Sequence, residues 1–593
     1  MTMRVVALAI AVMACSAAVA TRQAGTPAGV IKGQVVDAAS GQPVPGALVT
    51  LSSNPARRVV VGAGGHFEFT SLPAGAYALL ANRPGYLPSS AGQRSPGGVG
   101  RPIVISVVEP TDVVLPMWKT GSIAGSVMTT ASIPLVGVEV HALQRTLAGG
   151  AWQWSDAAVS MSDDHGRYHL SNLTPGDFLV AAKPTQDPET PLLMALLTAN
   201  GPSAADVIAG VASSAGGTPD IDGRVPALTT TYYAASPNAS ASIITLPPST
   251  TRTGVDLRMR PGHGLRISGT LTGATGPVGG LTVHLVAPIA EGAGTDGPDL
   301  EVATAACAED GRFSFSGVAA GRYSLVLTWT PPAPPAGVRS GPPGGPEPTS
   351  PLPADPALWA RMPVTVANAN LTGVQLPLHT GSTVSGQVVL EGSAPAPANL
   401  EAANLRLEPV AASLIPSPPV PPVRLAVDAS GRVTSASITP GRYVLRAAPV
   451  RGWTVLSATT GDHDVLDDPL DIRSSIADLV LKMTDRPFGA ISGSVVSGGQ
   501  PAPDATVVVF PANANLRRDT SASARRLRAL RAQVTGAFVI ANLPPGDYWA
   551  LALDAELPAG WQNAQRLESW VKSATPVTVA LGDVQKLNLE VIK

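Results

Sequence analysis

Gly65-His-Phe-Glu-Phe-Thr-Ser-Leu-Pro-Ala-Gly-Ala-Tyr77 carries a pattern that the chain repeats four more times. Gly166…Gly176-Asp-Phe178, Gly311…Gly321-Arg-Tyr323, Gly431…Gly441-Arg-Tyr443 and Gly536…Gly546-Asp-Tyr548 keep the same ten-residue step between two glycines. An aromatic residue always stands two positions after the second glycine. After the first glycine apolar residues alternate, as in Phe67 and Phe69, Tyr168 and Leu170, Phe313 and Phe315, Phe538 and Ile540. That is the period-two signature of a half-buried strand. The alternation resumes after the second glycine, as in Tyr77, Leu79 and Ala81. Between the two runs stands Leu-Pro-Ala-Gly, Thr-Pro-Gly or Pro-Pro-Gly, where proline presets φ and glycine accepts φ > 0. Each copy predicts a core strand, a tight corner and a second core strand.

Working outward, each corner is preceded by an opening strand of the form Ile/Val-x-Gly-x-Val/Leu: Ile31–Val35, Ile123–Val127, Ile267–Leu271, Val384–Val388 and Ile491–Val495. A proline turn and a second strand follow, as in Pro43–Val49 and Pro501–Val507; the fourth copy departs here, with extra residues before Leu405. A late strand closes each copy: Val113–Leu115, Val255–Leu257, Val374–Leu376, Leu479–Leu481 and Leu587–Leu589. The resulting partition is a leader at 1–20 and repeats at 28–119, 120–261, 262–379, 380–486 and 487–593. At about 90 to 145 residues, each repeat is long enough to fold on its own core. The joints are short, as at Lys119-Thr120-Gly121, which predicts a rod or a gently curved string. Pro191–Ala215 interrupts the second repeat as one or two short helices, and Pro331–Pro356 interrupts the third as an extended Pro/Gly-rich loop.

The pattern resembles the carboxypeptidase regulatory-like domain. The residues that carry the likeness are Gly33-Gln-Val-Val-Asp37, Pro43–Val49 and Gly65…Leu72-Pro-Ala-Gly-Ala-Tyr77. The resemblance implies an all-β chain of five tandem Ig-like or transthyretin-like β-sandwiches behind a signal peptide, of a bacterial exported type. It is a likeness to the regulatory domain alone, without the catalytic one.

Composition narrows the function. Charged residues are 14% of the 593 and the formal net charge is −2, which gives no electrostatic case for nucleic acid or an anionic membrane. Glycine and proline make up about a fifth of the chain, below the level that signals general disorder. Arg4, the apolar run Val5–Ala14 and Ala18-Val-Ala20 have the three parts of a secretory signal. No other stretch is a candidate membrane span. Cys15 sits in a loose lipobox-like setting, but lipid attachment is not the favoured reading. Cleavage after Ala20 leaves only Cys307, so no intramolecular disulfide forms. The expected location is periplasmic, outer-surface or extracellular.

No motif carries catalysis. The eight histidines are scattered, with no His-x-x-Glu and suitable later His for zinc, and no Gly-x-Ser-x-Gly elbow occurs. His165 and His169 flank a turn rather than share a helix face, and Asp163-Asp164, Glu309-Asp310 and Asp428 are read as turn residues. We expect no metal, no cofactor and no enzyme. Domains related by resemblance cross-link a first-strand lysine to a last-strand Asn or Asp with help from a buried acid. Lys32 and Asp112 are the one conceivable pair; the other copies carry Ala124, Ser268, Ser385 and Ser492, and no glutamate is read as accompanying the corner for that role. A solvated edge lysine is the expectation.

Aromatics outside the core pattern are the binding candidates, because sugar rings stack on flat exposed aromatics. Trp152 and Trp154, read as a loop pair, join Tyr232, Tyr233, Trp453 and Trp561, with Trp570 as a further one and Trp549 as cover for a joint. The partners implied are a polysaccharide or an envelope protein. The basic run Arg517-Arg518, Arg525-Arg526 and Arg528 to Arg531 is expected to be a solvated loop or a segment lying over the sandwich.

Overall fold

The computed structural model describes residues 29–53, 56–105, 110–183, 225–233, 241–273, 278–288, 300–332, 334, 351–397, 400, 404–410, 421–450, 452–518, 520, 524–554, 556–557 and 560–592. One plan recurs along it. In the first repeat the opening strand Gly29–Asp37 pairs antiparallel with the corner strand His66–Leu72 and parallel with the closing strand Thr111–Met117. The same corner–opening–closing order holds in the other four repeats. A second sheet places Leu48–Leu51 between Arg57–Val60 and Leu79–Asn82. Apolar residues facing inward from both sheets form the core, from Ile31 to Met117. Separate cores occupy Ile123–Met259, Leu265–Leu378, Val384–Met483 and Ile491–Leu589.

Three glycine-dependent contacts set this plan. First, the opening-strand glycine lies opposite the first apolar residue of the corner strand: Gly33 with Phe67, Gly125 with Tyr168, Gly269 with Phe313, Gly493 with Phe538, and Gly386 with Val433. A Cβ at Gly33 would come within 2.4 Å of the Phe67 ring and 2.3 Å of the Val113 carbonyl on the closing strand. The missing side chain lets the ring and the parallel strand close in. Second, the first corner glycine has φ near +75° to +81° in Gly65, Gly311, Gly431 and Gly536, and +74° in Gly166. Its carbonyl accepts from the N–H of Val35, Val127, Leu271, Val388 or Val495 at 2.7 to 2.9 Å, tying the turn to the opening strand.

The third contact corrects the sequence reading. The second corner glycine was expected to supply positive φ, yet it does so only at Gly176 and Gly546. At Gly321 and Gly441 a Cβ would instead press on the ring of Tyr323 or Tyr443, at 3.1 and 3.3 Å. The following tyrosine bends back over the corner. Tyr77, Tyr323, Tyr443 and Tyr548 each donate the phenol O–H to the carbonyl four residues earlier, at 3.0, 3.0, 2.9 and 2.6 Å. Phe178 cannot do so, and there Gln144 Nε2 donates to the Pro175 carbonyl at 3.2 Å. The corner strands also carry a β-bulge in four repeats, with Ser71, Asn172, Gly317 and Asn542 at positive φ. Short polar side chains and glycine are the residues that tolerate that conformation.

The second repeat has the longest hairpin, Glu139–Ala148 with Ala151–Met161, turned by Gly149 and Gly150 at φ +55° and +79°. Trp152 and Trp154 therefore sit in a strand, not a loop. Val225–Leu228, whose Leu228 stays in the second core, pairs with Pro261–Gly264 at the junction with the third repeat. The fifth repeat contains an α-helix, Ala564–Val571, capped by Asn563 and packed through Leu567. Pro191–Ala215 and most of the Pro331–Pro356 loop lie outside the described residues, as do residues 1–28 with the leader and Cys15.

The repeats do not run as a rod. Arg94 and Arg101 of the first repeat pair with Asp504 of the fifth. The fifth also pairs with the fourth through Arg525 and Asp467. The hairpin tip of the second reaches both, because Arg442 Nη2 donates to the Gly149 carbonyl at 3.0 Å and Thr520 Oγ1 to Leu147 at 3.3 Å. Short joints restrain neighbours, but they do not stop the path from folding back on itself.

Candidate functional site

The richest polar constellation lies where the fourth and fifth repeats meet. The turn Asp464–Asp468 follows the hairpin of strand Thr454–Thr460. Asp464 Oδ1 accepts from the Ala458 and Leu466 N–H groups, which fixes the turn, and its Oδ2 faces Arg525 Nη2 at 3.3 Å. Asp467 is fully buried and receives two arginines. Arg525 grips it through Nε at 3.1 Å and Nη2 at 2.6 Å, and Arg526 Nε adds a third bond at 2.7 Å. Asp468 pairs with Arg518 at 3.2 Å and with His463 Nδ1 at 3.2 Å. Arg526 continues to the Pro545 carbonyl and to the Tyr548 hydroxyl, at 3.0 and 2.9 Å. The corner tyrosine of the fifth repeat is thus wired to the acidic turn of the fourth.

The electrostatics follow from burial and pairing. Burial pushes the Asp464 carboxyl above its ordinary value, against the pull of Arg525. Burial alone would raise Asp467 as well, but the charges and hydrogen bonds of Arg525 and Arg526 outweigh it and hold the carboxyl below the usual range. Burial works against the Arg526 charge, and Asp467 more than restores it. Arg517 is buried too, donating to the Pro511 and Ala512 carbonyls, pairing with Glu568 at 2.9 Å and lying 5.2 Å over the Phe510 ring. The basic run is therefore not a solvated loop. Arg518, Arg525 and Arg526 are drawn into the joint with the fourth repeat, while Arg517 folds back within the fifth.

The aromatic candidates are also packed. Trp154 is fully buried, against Leu143, Leu179, Ala181, Tyr232 and, from the third repeat, Leu300. Tyr232 lies in the same cluster, and half-buried Tyr233 packs on the second repeat's own core. Trp453 is buried with its indole N–H donating to the Pro395 carbonyl at 3.2 Å. Trp152, at the hairpin tip, lies beneath Arg145 at 5.0 Å and packs on Gly560 of the fifth repeat. Trp561, next in sequence, joins Trp549 and Trp570 around Phe510 and Leu567. The structure brings Trp154 to Tyr232, and Trp152 to the segment carrying Trp561, but does not gather all six into one face. Periodicity could show that an aromatic lay off the core side, not that another repeat covered it.

Two smaller readings concern Lys32 and the turn at Asp163. Lys32 lies beside Asp112 and opposite Glu68, so a glutamate does accompany the corner here, contrary to the sequence reading. The Lys32–Glu68 distance is 3.6 Å and both side chains are half exposed, so the dry setting that amide condensation requires is missing. Asp163, Asp164 and His165 bring ligand atoms within 4.8 Å of one another. However, Asp163 Oδ1 accepts from the His165 and Arg167 N–H groups and Asp164 pairs with His165, as turn residues do.

Residues 30–113 match the family model of the carboxypeptidase regulatory-like domain. The match covers the first repeat, and the other four share its strand order. Solved structures that resemble this chain include the Bacillus anthracis TIE protein, 10% identical over 77% of this chain and 68% of its own, with a TM-score of 0.14. A streptococcal ancillary pilin is 11% identical over 55% and 98%, with a TM-score of 0.18. The minor pilin of Streptococcus agalactiae is 15% identical over 39% and 96%, with a TM-score of 0.21. At such scores none of them carries an argument about arrangement or function. No curated protein matches the chain. Among the described residues no helix is long and apolar enough to cross a membrane.

Proposed function

We propose that this chain is an exported, non-catalytic scaffold of the cell envelope, in which regulatory-like sandwiches are clasped together to present their outer surfaces to protein partners. The observation that carries the reading is the use made of the candidate ligand groups. Asp467 with Arg525 and Arg526, and Trp154 with Leu300, hold repeats to one another. A chain that places Arg525, Arg526 and Trp154 in joints between repeats is built for a fixed shape. Export is supported by the Arg4, Val5–Ala14 and Ala18–Ala20 pattern.

A pull-down from native envelope extract tests the proposal. The expected result is a protein partner retained by the full mature chain and released when Asp467→Asn loosens the joint. A glycan array provides the counter-test. Saturable binding of one polysaccharide, lost in Trp152→Ala, would replace the scaffold reading with carbohydrate recognition.

A further inference from the structure

His141 lies on the outer face of the second repeat's hairpin, while its neighbours Val140 and Ala142 point into the core. It is 5% exposed. Its Nδ1 stands 2.9 Å from Asp156 Oδ2 and its Nε2 3.1 Å from Glu139 Oε1. Ionised carboxylates only accept, so both contacts are hydrogen bonds only when both ring nitrogens carry a proton. The ring between them is therefore an imidazolium. Lys183, at the end of strand Gly176–Lys183, holds the other Glu139 oxygen at 3.1 Å. Among the described residues these are the charged groups that face the ring, since Arg145 further along the strand is turned to Trp152. Two cations and two anions leave the quartet with no formal charge.

The quartet adjoins the seam with the third repeat. Leu143 lies two residues beyond His141 on the same face, and Trp154 two before Asp156. Both pack with Leu300 of the third repeat. The next residue of that strand, Glu301, is met by His284 Nδ1 at 2.6 Å. His284 holds the matching place in its own repeat, between the core residues Val283 and Leu285. A neutral ring donating through Nδ1 satisfies that single carboxylate. His141, with a carboxylate at each nitrogen, has no such neutral solution.

We propose that His141 is a pH-sensitive latch on the seam between the second and third repeats: protonated, it ties Asp156 to Glu139 beside the Trp154 packing, and losing the proton loosens the seam. A neutral ring donates to one carboxylate only. The other is left without its donor, and the quartet gains a net negative charge in a largely buried place, which is costly. Burial by itself would favour loss of the proton. The hydrogen bonds and charges of Asp156 and Glu139 outweigh it, against the opposing charge of Lys183, and hold the ring above the ordinary histidine value. The contribution is therefore complete below the ordinary histidine range and is lost as pH rises through the raised value. Asp156 is 35% exposed and gives the proton a way to solvent.

Hydrogen–deuterium exchange of the full mature chain, read by mass spectrometry and corrected for the intrinsic rate, tests the latch. The two conditions are about pH 6 and about pH 9, on either side of a raised histidine titration. Between them the protection of Leu300–Ala306 and of the hairpin Glu139–Met161 should fall about tenfold or more, the effect of losing one charge-assisted hydrogen bond. The opening strand Gly489–Ser497 of the fifth repeat should keep its protection. His141→Gln, a neutral side chain of similar reach, should show a weak seam already at the lower pH and no further fall. His284→Gln should keep the fall of the unaltered chain. Nitrogen NMR of the histidine rings supplies a readout that packing alone would not move, because the resonance missing from His141→Gln should titrate above the ordinary histidine value. An unchanged seam across the range, a fall that persists in His141→Gln or vanishes in His284→Gln, or a His141 ring that titrates at or below the ordinary value would overturn the latch.

Discussion

Asp467 is the side chain on which the buried charge of the molecule converges. Replacing it by asparagine keeps the volume but leaves Arg525 and Arg526 facing a neutral amide. Stripping one partner from a buried ion pair costs about 3–5 kcal/mol, so Asp467→Asn should lower the denaturant midpoint of the full chain markedly. A loss below about 1 kcal/mol, the value of an exposed pair, would show that water screens the cluster. The pH dependence follows from the directions of the shifts. Asp467 is held below its ordinary value, so its contribution is present above the usual carboxylate range and is lost as pH falls through the lowered value. Asp464 is raised and acts the opposite way, so its protonation relieves the joint as pH falls. Glu139, held down to about 2 by His141 and Lys183, acts in the same direction as Asp467, so stability should fall mainly below the ordinary carboxylate range, and Asp467→Asn should make that late fall smaller without removing it. The corner tyrosines offer a finer comparison. Tyr443→Phe removes a bond to the Thr439 carbonyl, whereas Tyr548→Phe also strips a contact from Arg526. The first should cost about 1 kcal/mol and the second more, as read by thermal unfolding of the two variants side by side.

At the scale of elements, the hairpin Glu139–Met161 joins the second repeat to its neighbours. Its Gly149-Gly150 turn suits the twist of the two strands and leaves no room for a side chain. A Cβ at Gly149 would come within 2.3 Å of Val410 in the fourth repeat. Gly149→Ala should push the tip off the fourth repeat and make the hairpin cleavable by protease, while the second repeat keeps its own core. Unchanged protection would mean that the tip contact is incidental. This element also shows what the sequence could reveal. The succession of strands was legible because Phe67 and Phe69, or Tyr168 and Leu170, alternate beside recurring glycines, whereas the order in which the strands pair was not. The covering of Trp154 was not, since alternation marks a covered face without naming the cover. The acidic turn at Asp464–Asp468 and the arginines at 518, 525 and 526 were both visible as runs. Pairing them required knowing that the path folds back. Nor did the helix Ala564–Val571 stand out, although Asn563 and the spacing of Leu567, Trp570 and Val571 are signs of one.

For the whole molecule, contacts from the fifth repeat to the first, second and fourth give a body that is folded back rather than strung out. A compact chain of this length has a radius of gyration of about 25 Å. Small-angle scattering should give a value close to that, allowing for segments outside the cores, and a value twice as large would mean that the seams open in solution. Raising the salt should widen the particle at the first–fifth seam first, because Arg94 there is exposed to screening, whereas Asp467 is not.

The parallel pairing of opening and closing strands has a mechanical consequence. The two ends of a repeat lie on adjacent strands running the same way, so tension between them acts along the strands. All the ladder bonds between them are then loaded together in shear instead of being unzipped singly. In the first and fifth repeats this ladder is continuous over seven residue pairs, Ile31–Asp37 against Thr111–Met117 and Ala490–Val496 against Val584–Glu590. In the second it is broken into two short pieces, Ser122–Ile123 and Val127–Thr129. Pulled from its ends in a single-molecule experiment, the chain should give way first at the second repeat, and an initial rupture at the first or fifth would contradict this. The sandwich that grips most of its neighbours would then be the weakest link under load.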